Sequence, residues 1–216
     1  MSKILILTGD GVESLELMYP YQRLLEAGYE VDIAAPSAKM IQSVIHETEL
    51  GWDTYSEKKG YRVSANLAFS EVEEDKYTAL VIPGGRAPEY IRNDPDVQRI
   101  VRWFFEQNLP VAHICHAPLV LAAAGVLEGR TSTGFPFVEP DIVNAGGEYV
   151  DSAGVVDGNM VSARAWFDNP AWMREFMKLL KEKETATAAK NNSKNGKDPL
   201  VERLAQLERR LNQLEK

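Results

Sequence analysis

The chain contains one cysteine, Cys115, followed directly by His116, Ala117 and Pro118. A short apolar run, Val111–Ile114, leads into it, and an apolar helical stretch, Pro118–Ala124, closed by Gly125, leads away. That pattern puts the thiol in a sharp strand-to-helix turn, an elbow that lifts a nucleophile clear of a sheet. In open parallel sheets ligands bind beyond the carboxyl ends of the strands, and this turn is such an end. Backbone N–H groups and the positive end of the helix dipole lower a thiol pKa from about 8.5, so the expected resting form is the thiolate. One cysteine cannot form an intramolecular disulfide, and with only three histidines it cannot build a thiolate zinc site of the usual spacing. Neither a metal nor an organic cofactor is expected.

Three further groups fall at neighbouring strand ends. Pro83-Gly84-Gly85 ends the apolar run Ala79–Ile82, and its backbone can join the His116 N–H in binding an oxyanion near Cys115. Glu13 lies in the loop after the first apolar run, within Gly11-Val12-Glu13-Ser14-Leu15-Glu16. One glutamate among several is ordinarily a solvated surface group. A carboxyl beside a thiolate in an apolar pocket, however, tends to stay protonated and can shuttle protons. Glu16 reads as structural on the following helix, and His113 as a core imidazole within its strand. His46 has no assignable partner.

The elements that must hold these groups alternate. Residues 3–8 and 31–35 read as buried strands around a helix over 17–27, and the pattern recurs through Ala79–Ile82, a helix at 95–107 and Val111–Ile114. Alternation of this kind implies an α/β fold with a doubly wound, mostly parallel sheet. Residues 37–73 are more polar, with a short hairpin expected at 61–67, and are where a pocket-covering insertion is expected. Asp157-Gly158-Asn159 marks a tight turn before Met160–Ala163, and 169–181 a closing helix.

The expected domain is therefore 1–183. From 184 to 199 the composition turns to Lys, Ala, Thr, Asn, Ser and Gly, as in a linker. Leu200, Leu204, Leu207, Leu211 and Leu214 then repeat at four and three residues over 200–216, a short heptad seam or a helix docked on its own body. The formal charge of −8 argues against nucleic acid as a partner, and no run approaches the length of a membrane span, so the expected location is the cytoplasm.

Cys115-His116, the stretch Pro83-Gly84-Gly85-Arg86-Ala87-Pro88-Glu89 and Glu13 together resemble the ThiJ/PfpI superfamily over residues 2–183. Val143-Asn144-Ala145-Gly146 and Val156-Asp157-Gly158-Asn159 support the likeness. The resemblance implies a flavodoxin-like three-layer sandwich, a Cys115 nucleophile, Glu13 as its carboxyl partner and an oxyanion site from the amides of Gly85 and His116. It also implies homo-oligomers, in which Glu89 reaches the partner's copy of His116 across an interface. One departure stands out: the usual Cys-His-Gly is here Cys115-His116-Ala117, which matters if the elbow needs positive φ at its third residue.

On these grounds the expected activity is a glutathione-independent glyoxalase or deglycase acting on methylglyoxal-like 2-oxoaldehydes. The alternatives are a PfpI-type cysteine peptidase and a redox-sensing or chaperone-like interaction protein. The substrate would be a small aldehyde or a peptide. A related glutaminase would need a histidine after the nucleophile on a later strand, and none follows His116.

Overall fold

In the computed structural model the residues described are 2–194. Strand β1 (Lys3–Leu7) leads to helix α1 (Ser14–Glu26), β2 (Glu30–Ala35), then β3 (Lys39–Thr48), β4 (Tyr55–Ala65) and β5 (Leu67–Ala68). Next come β6 (Ala79–Ile82), α2 (Ala87–Ile91), α3 (Pro95–Glu106), β7 (Val111–Ile114) and α4 (Pro118–Ala124). The chain continues through β8 (Thr131–Ser132), α5 (Glu139–Asn144), β9 (Glu148–Tyr149), β10 (Val155–Asp157), β11 (Met160–Ala163) and α6 (Asn169–Lys194).

Seven strands form the central sheet in the order β10-β11-β7-β6-β1-β2-β5, parallel throughout except for the β10–β11 hairpin at one edge. The central strands are buried on both faces, as their unbroken apolar runs require. Leu5, Leu7, Leu80, Ile82 and Val111 belong to one core cluster with Val97, Ile100 and Phe104 of α3 and Val120 and Leu121 of α4. Leu17 and Leu24 of α1 and Trp172 and Phe176 of α6 are buried outside that cluster. The doubly wound α/β sandwich expected from the alternation is the fold observed.

Two expectations are corrected. The polar region 37–73 holds not a short hairpin but a long one, β3 paired antiparallel with β4 from Lys39↔Ala65 to Thr48↔Tyr55. It is sewn to the loop after β1 by Gly11 N donating to Gln42 O (2.8 Å), Val44 N donating to Val12 O (2.8 Å) and the Ser14–Ser43 hydroxyl pair (2.8 Å). Of the linker expected at 184–199, residues 184–194 are helical, because α6 runs on to Lys194 through residues whose Ala, Lys and Glu are good helix formers, and residues 195–199 lie outside the described residues. Contacts divide the chain into Met1–Leu179 and a second unit from Leu180. The heptad seam at 200–216 lies outside the described residues. No helix among the described residues is long and apolar enough to cross a membrane.

Candidate active site

Cys115 is the residue at which the sheet ends. Its N–H still donates to Ala163 O of β11 (3.1 Å), but its carbonyl turns away to accept from Phe135 N (2.9 Å), and Ala117 N closes the turn on Ile114 O (3.0 Å). Its φ is +60°, a left-handed conformation that a non-glycine residue adopts at a cost. The positive φ of the elbow thus sits on the cysteine itself, and Ala117, at φ −57°, needs no glycine. The departure from Cys-His-Gly leaves the geometry intact.

The carboxyl facing the thiol comes from Glu16, fully buried on the first turn of α1 and hydrogen-bonded to Cys115. Its Oε2 accepts the Gly84 N–H at 2.9 Å. Glu13, one turn earlier, is the helix N-cap and accepts the Glu16 N–H at 2.8 Å. The structure therefore places Glu16, not Glu13, beside the sulfur. Glu13 lies where α1 begins and turns its carboxylate onto the helix's own free amides, while Glu16 sits on the inward stripe with Leu17, Pro20 and Leu24.

The two glycines before α2 have different tasks. A Cβ on Gly84 would lie 2.5 Å from both Cys115 Cβ and Glu16 Oε2, so only glycine lets the thiol and the carboxyl meet there. Its amide is spent on Glu16 and is not free for an oxyanion. Gly85, at φ +74°, packs so close to Gly11 O and Glu13 N that a side chain is excluded, and its N–H, with that of His116, is directed at the sulfur. The two amides that converge on the sulfur are therefore those of Gly85 and His116.

Burial pushes the Glu16 carboxyl well above its usual range, and the nearby Glu13 charge adds to this. Burial likewise pushes the Cys115 thiol up, with the Glu16 charge reinforcing it and the Gly85 and His116 amides opposing. Both directions run against the resting thiolate expected from the elbow alone. The helix α4 has seven residues and starts at Pro118, which has no N–H, so its pull is small against complete desolvation. The pair is one coupled acid in which a charge on either group disfavours a charge on the other.

His116 touches the sulfur, Nδ1 lying 3.2 Å from Sγ. Burial, and then His46, lower its pKa to about 4, so the imidazole is neutral near pH 7. Its ring stacks on Phe135 (centroids 5.3 Å) and meets Tyr55 edge-on (5.9 Å). Tyr55 stacks in turn on His46 (4.0 Å). Behind His46 stands Glu57, 3.4 Å from Nε2 and bonded through both oxygens to Arg86 (2.7 Å each). Glu89 is exposed on α2. His113 is a core imidazole, 3.3 Å from the Ser132 hydroxyl. Among the described residues no group of three or more His, Cys, Asp or Glu could hold a metal ion.

A model of the DJ-1/PfpI family matches residues 2–179. The chain belongs to the DJ-1/PfpI family. A deglycase of Pyrococcus horikoshii is 47% identical over 179 residues, covering 83% of this chain and 99% of that protein. The deglycase PfpI of Pyrococcus furiosus is 46% identical over the same extent. Among solved structures, a two-domain protein of Anabaena variabilis with DJ-1/ThiJ/PfpI-like and ferritin-like domains superposes with a TM-score of 0.75 at 31% identity, over 84% of this chain and 48% of that one.

Within this DJ-1/PfpI frame, the structure brings Cys115, Gly85 and His116 together as the sequence led one to expect, adds Glu16, which had read as structural, and His46, which had no assignable partner, and joins to them Tyr55, Glu57 and Phe135, which the sequence did not single out. Glu16 was legible in principle, since it shares the helical phase of Leu17, Pro20 and Leu24. His46 was hidden by a register shift between Gln42 and Val44, which breaks the alternation of β3.

Proposed function

We propose that the protein is a glutathione-independent glyoxalase or deglycase that uses Cys115 as its nucleophile and Glu16 as its proton carrier. The observation that carries this reading is the enclosed Cys115–Glu16 pair beneath two converging amides, in a chain whose relatives at 46–47% identity are named deglycases. Sγ adds to the aldehyde carbon of a 2-oxoaldehyde, and the thiol proton passes to the aldehyde oxygen, which the Gly85 and His116 amides receive. Glu16 takes the C1 proton of this hemithioacetal and returns it to C2, while the hydroxyl proton moves from the C1 oxygen to the C2 oxygen. The product is a 2-hydroxyacyl thioester, formed by an internal redox exchange that needs no outside oxidant. Water releases the hydroxy acid and restores the thiol. An early hemiaminal adduct of the same aldehyde on a protein amine enters the same route after its C–N bond breaks, the hemiaminal hydroxyl proton going to the departing nitrogen and the freed aldehyde carbon adding to the sulfur.

This chemistry asks no acid to protonate a leaving amine. Amide hydrolysis would, and His116, its pKa lowered to about 4, is poorly suited to carry that proton near neutrality. The test is D-lactate formation from methylglyoxal without glutathione, in the wild type and in Cys115→Ala. Lactate from the wild type alone supports the reading; no lactate, together with peptide cleavage, replaces it with the PfpI-type peptidase.

A further inference from the structure

A cleft of about 170 Å³ opens between the tip of the β3–β4 hairpin and the turns that follow β8 and β11. Trp52 and Tyr55 line it from the hairpin, Phe135 and Phe137 from the first turn, and Trp166 and Phe167 from the second. Singly exposed aromatics need no explanation, but Trp52, Phe137 and Phe167, exposed at 60%, 61% and 58%, gather around one concavity. The rings stand edge to face, Phe135 against Phe137 at 5.2 Å and 90° and against Tyr55 at 5.4 Å and 84°, so they border the cleft in more than one plane. Asp53 is the one charged residue among the described residues that line it. Its side chain is exposed, and among the described residues it has no ion-pair or hydrogen-bond partner. The Arg164 guanidinium lies over Phe167 at 5.6 Å, but Asp151 and Asp168, each 2.8 Å from it, already meet its charge.

We propose that this cleft receives the guanidinium of an arginine presented by another polypeptide, stacked among the rings with Asp53 as its counter-ion. Aromatic faces attract a cation through the ring quadrupole, and an unmatched carboxylate in the lining fixes the sign of the charge that completes the site. Guanidinium suits these walls better than ammonium. It is planar and weakly hydrated, so it stacks on a ring while its N–H groups reach a carboxylate, whereas an ammonium loses a firmer water shell in so apolar a cleft. The chain uses the same pairing internally, with Arg130 over Phe105 at 5.3 Å and Arg164 over Phe167. The size fits as well, since a cavity of roughly 150 Å³ accepts benzene and a guanidinium is smaller. The occupant is not the reacting end of a substrate, because Tyr55 and Phe135, and then His116, stand between the cleft and Cys115. It acts on the sulfur at one remove. Tyr55 and Phe135 are walls of the cleft and also the rings that pack on His116, and the cleft has this shape while Cys115 is fully buried. A ligand that fits this form favours it, and thereby keeps the thiol shielded. None of this depends on the glyoxalase reading.

The test titrates the full-length chain with N-acetylarginine amide, with N-acetylcitrulline amide, which keeps the shape without the charge, and with N-acetylphenylalanine amide, read by tryptophan fluorescence. The arginine amide should bind at least about tenfold tighter than the citrulline amide, and Trp52→Ala should weaken it about tenfold. Asp53→Asn should weaken it about threefold to fivefold, the range of an exposed ion pair. Saturating arginine amide should slow alkylation of Cys115 by iodoacetamide about fivefold, and Trp52→Ala should abolish that protection at the same ligand concentration. Equal binding of the arginine and citrulline amides, tighter binding of the phenylalanine amide, or unchanged affinity in Asp53→Asn would each overturn the cation site. Alkylation that is unchanged or faster at saturation would overturn its link to the thiol. A fall in oligomeric mass in Trp52→Ala would assign the cleft to a second copy of this chain instead.

Discussion

The sheet end that carries Cys115 and the β3–β4 hairpin that covers it are held by different means. The elbow is fixed from below by β11 and by the buried strands β7 and β6, and glycine at 84 and 85 sets its distances. The hairpin belongs to a separate two-stranded sheet, fastened to the loop after β1 by a handful of backbone and hydroxyl bonds and to the Gly85 loop by the Glu57–Arg86 pair. The contrast suggests a division of labour, in which the rigid sheet sets the reacting atoms and the hairpin sets what surrounds them.

Removing the sulfur should have the largest effect. Cys115→Ala is expected to reduce kcat by about 10³-fold or more in the lactate assay, with the fold intact by circular dichroism. Next comes the pair of carboxyls. Glu16→Gln is expected to lower kcat roughly 10²-fold. The same change removes the charge that raises the thiol, so alkylation by iodoacetamide at neutral pH should become faster than in the wild type. Glu13→Gln keeps an acceptor for the Glu16 N–H and should leave both readouts close to wild type. If Glu13→Gln proved the damaging change, the geometric assignment of the carboxyl would be broken.

The acid limb of the kcat/KM profile should follow the same pair. Because burial raises both members, activity is expected to climb as pH rises through their apparent pKa, and Glu16→Gln should shift that limb to lower pH. The hairpin should give a smaller response. Arg86→Ala opens a half-exposed ion pair and should change stability by about 1 kcal/mol or less in urea melts, while raising KM more than it lowers kcat. A fall in kcat as deep as that of Glu16→Gln would remove the distinction between the two regions.

A further contrast concerns acid stability. Burial, and then Arg130, hold the His113 pKa down to about 3, whereas the unfolded chain protonates near 6.5. Below 6.5 the unfolded state therefore binds the extra proton, and stability should fall by about 1.4 kcal/mol per pH unit until the folded pKa is reached. His113→Leu should flatten that slope in thermal melts taken between pH 6.5 and 4.

The sheet and the elbow were legible because they follow from periodicity: unbroken apolar strands, a helix starting at Pro118 and glycine pairs at strand ends. The carboxyl was misplaced by one turn because a loop position was read as facing the site, when capping turns Glu13 onto its own helix and helical phase carries Glu16 inward. The residues around His116 come from β3, β4 and the turns at Phe135 and Trp166, segments far apart in sequence with no shared period. Only the three-dimensional meeting of those rings reveals them.

Cys115 has no exposed surface in the folded chain. Chemistry at the sulfur is therefore preceded by an opening motion, and the observed rate of any reagent is the product of how often the ring layer parts and how fast the reagent then reacts. At high reagent concentration the rate should stop rising and report the opening alone. Shielding of this kind should slow adventitious oxidation of the thiol as much as any use of it, and loosening the packing of Phe135 and Tyr55 on His116, which touches the sulfur, is expected to raise both rates.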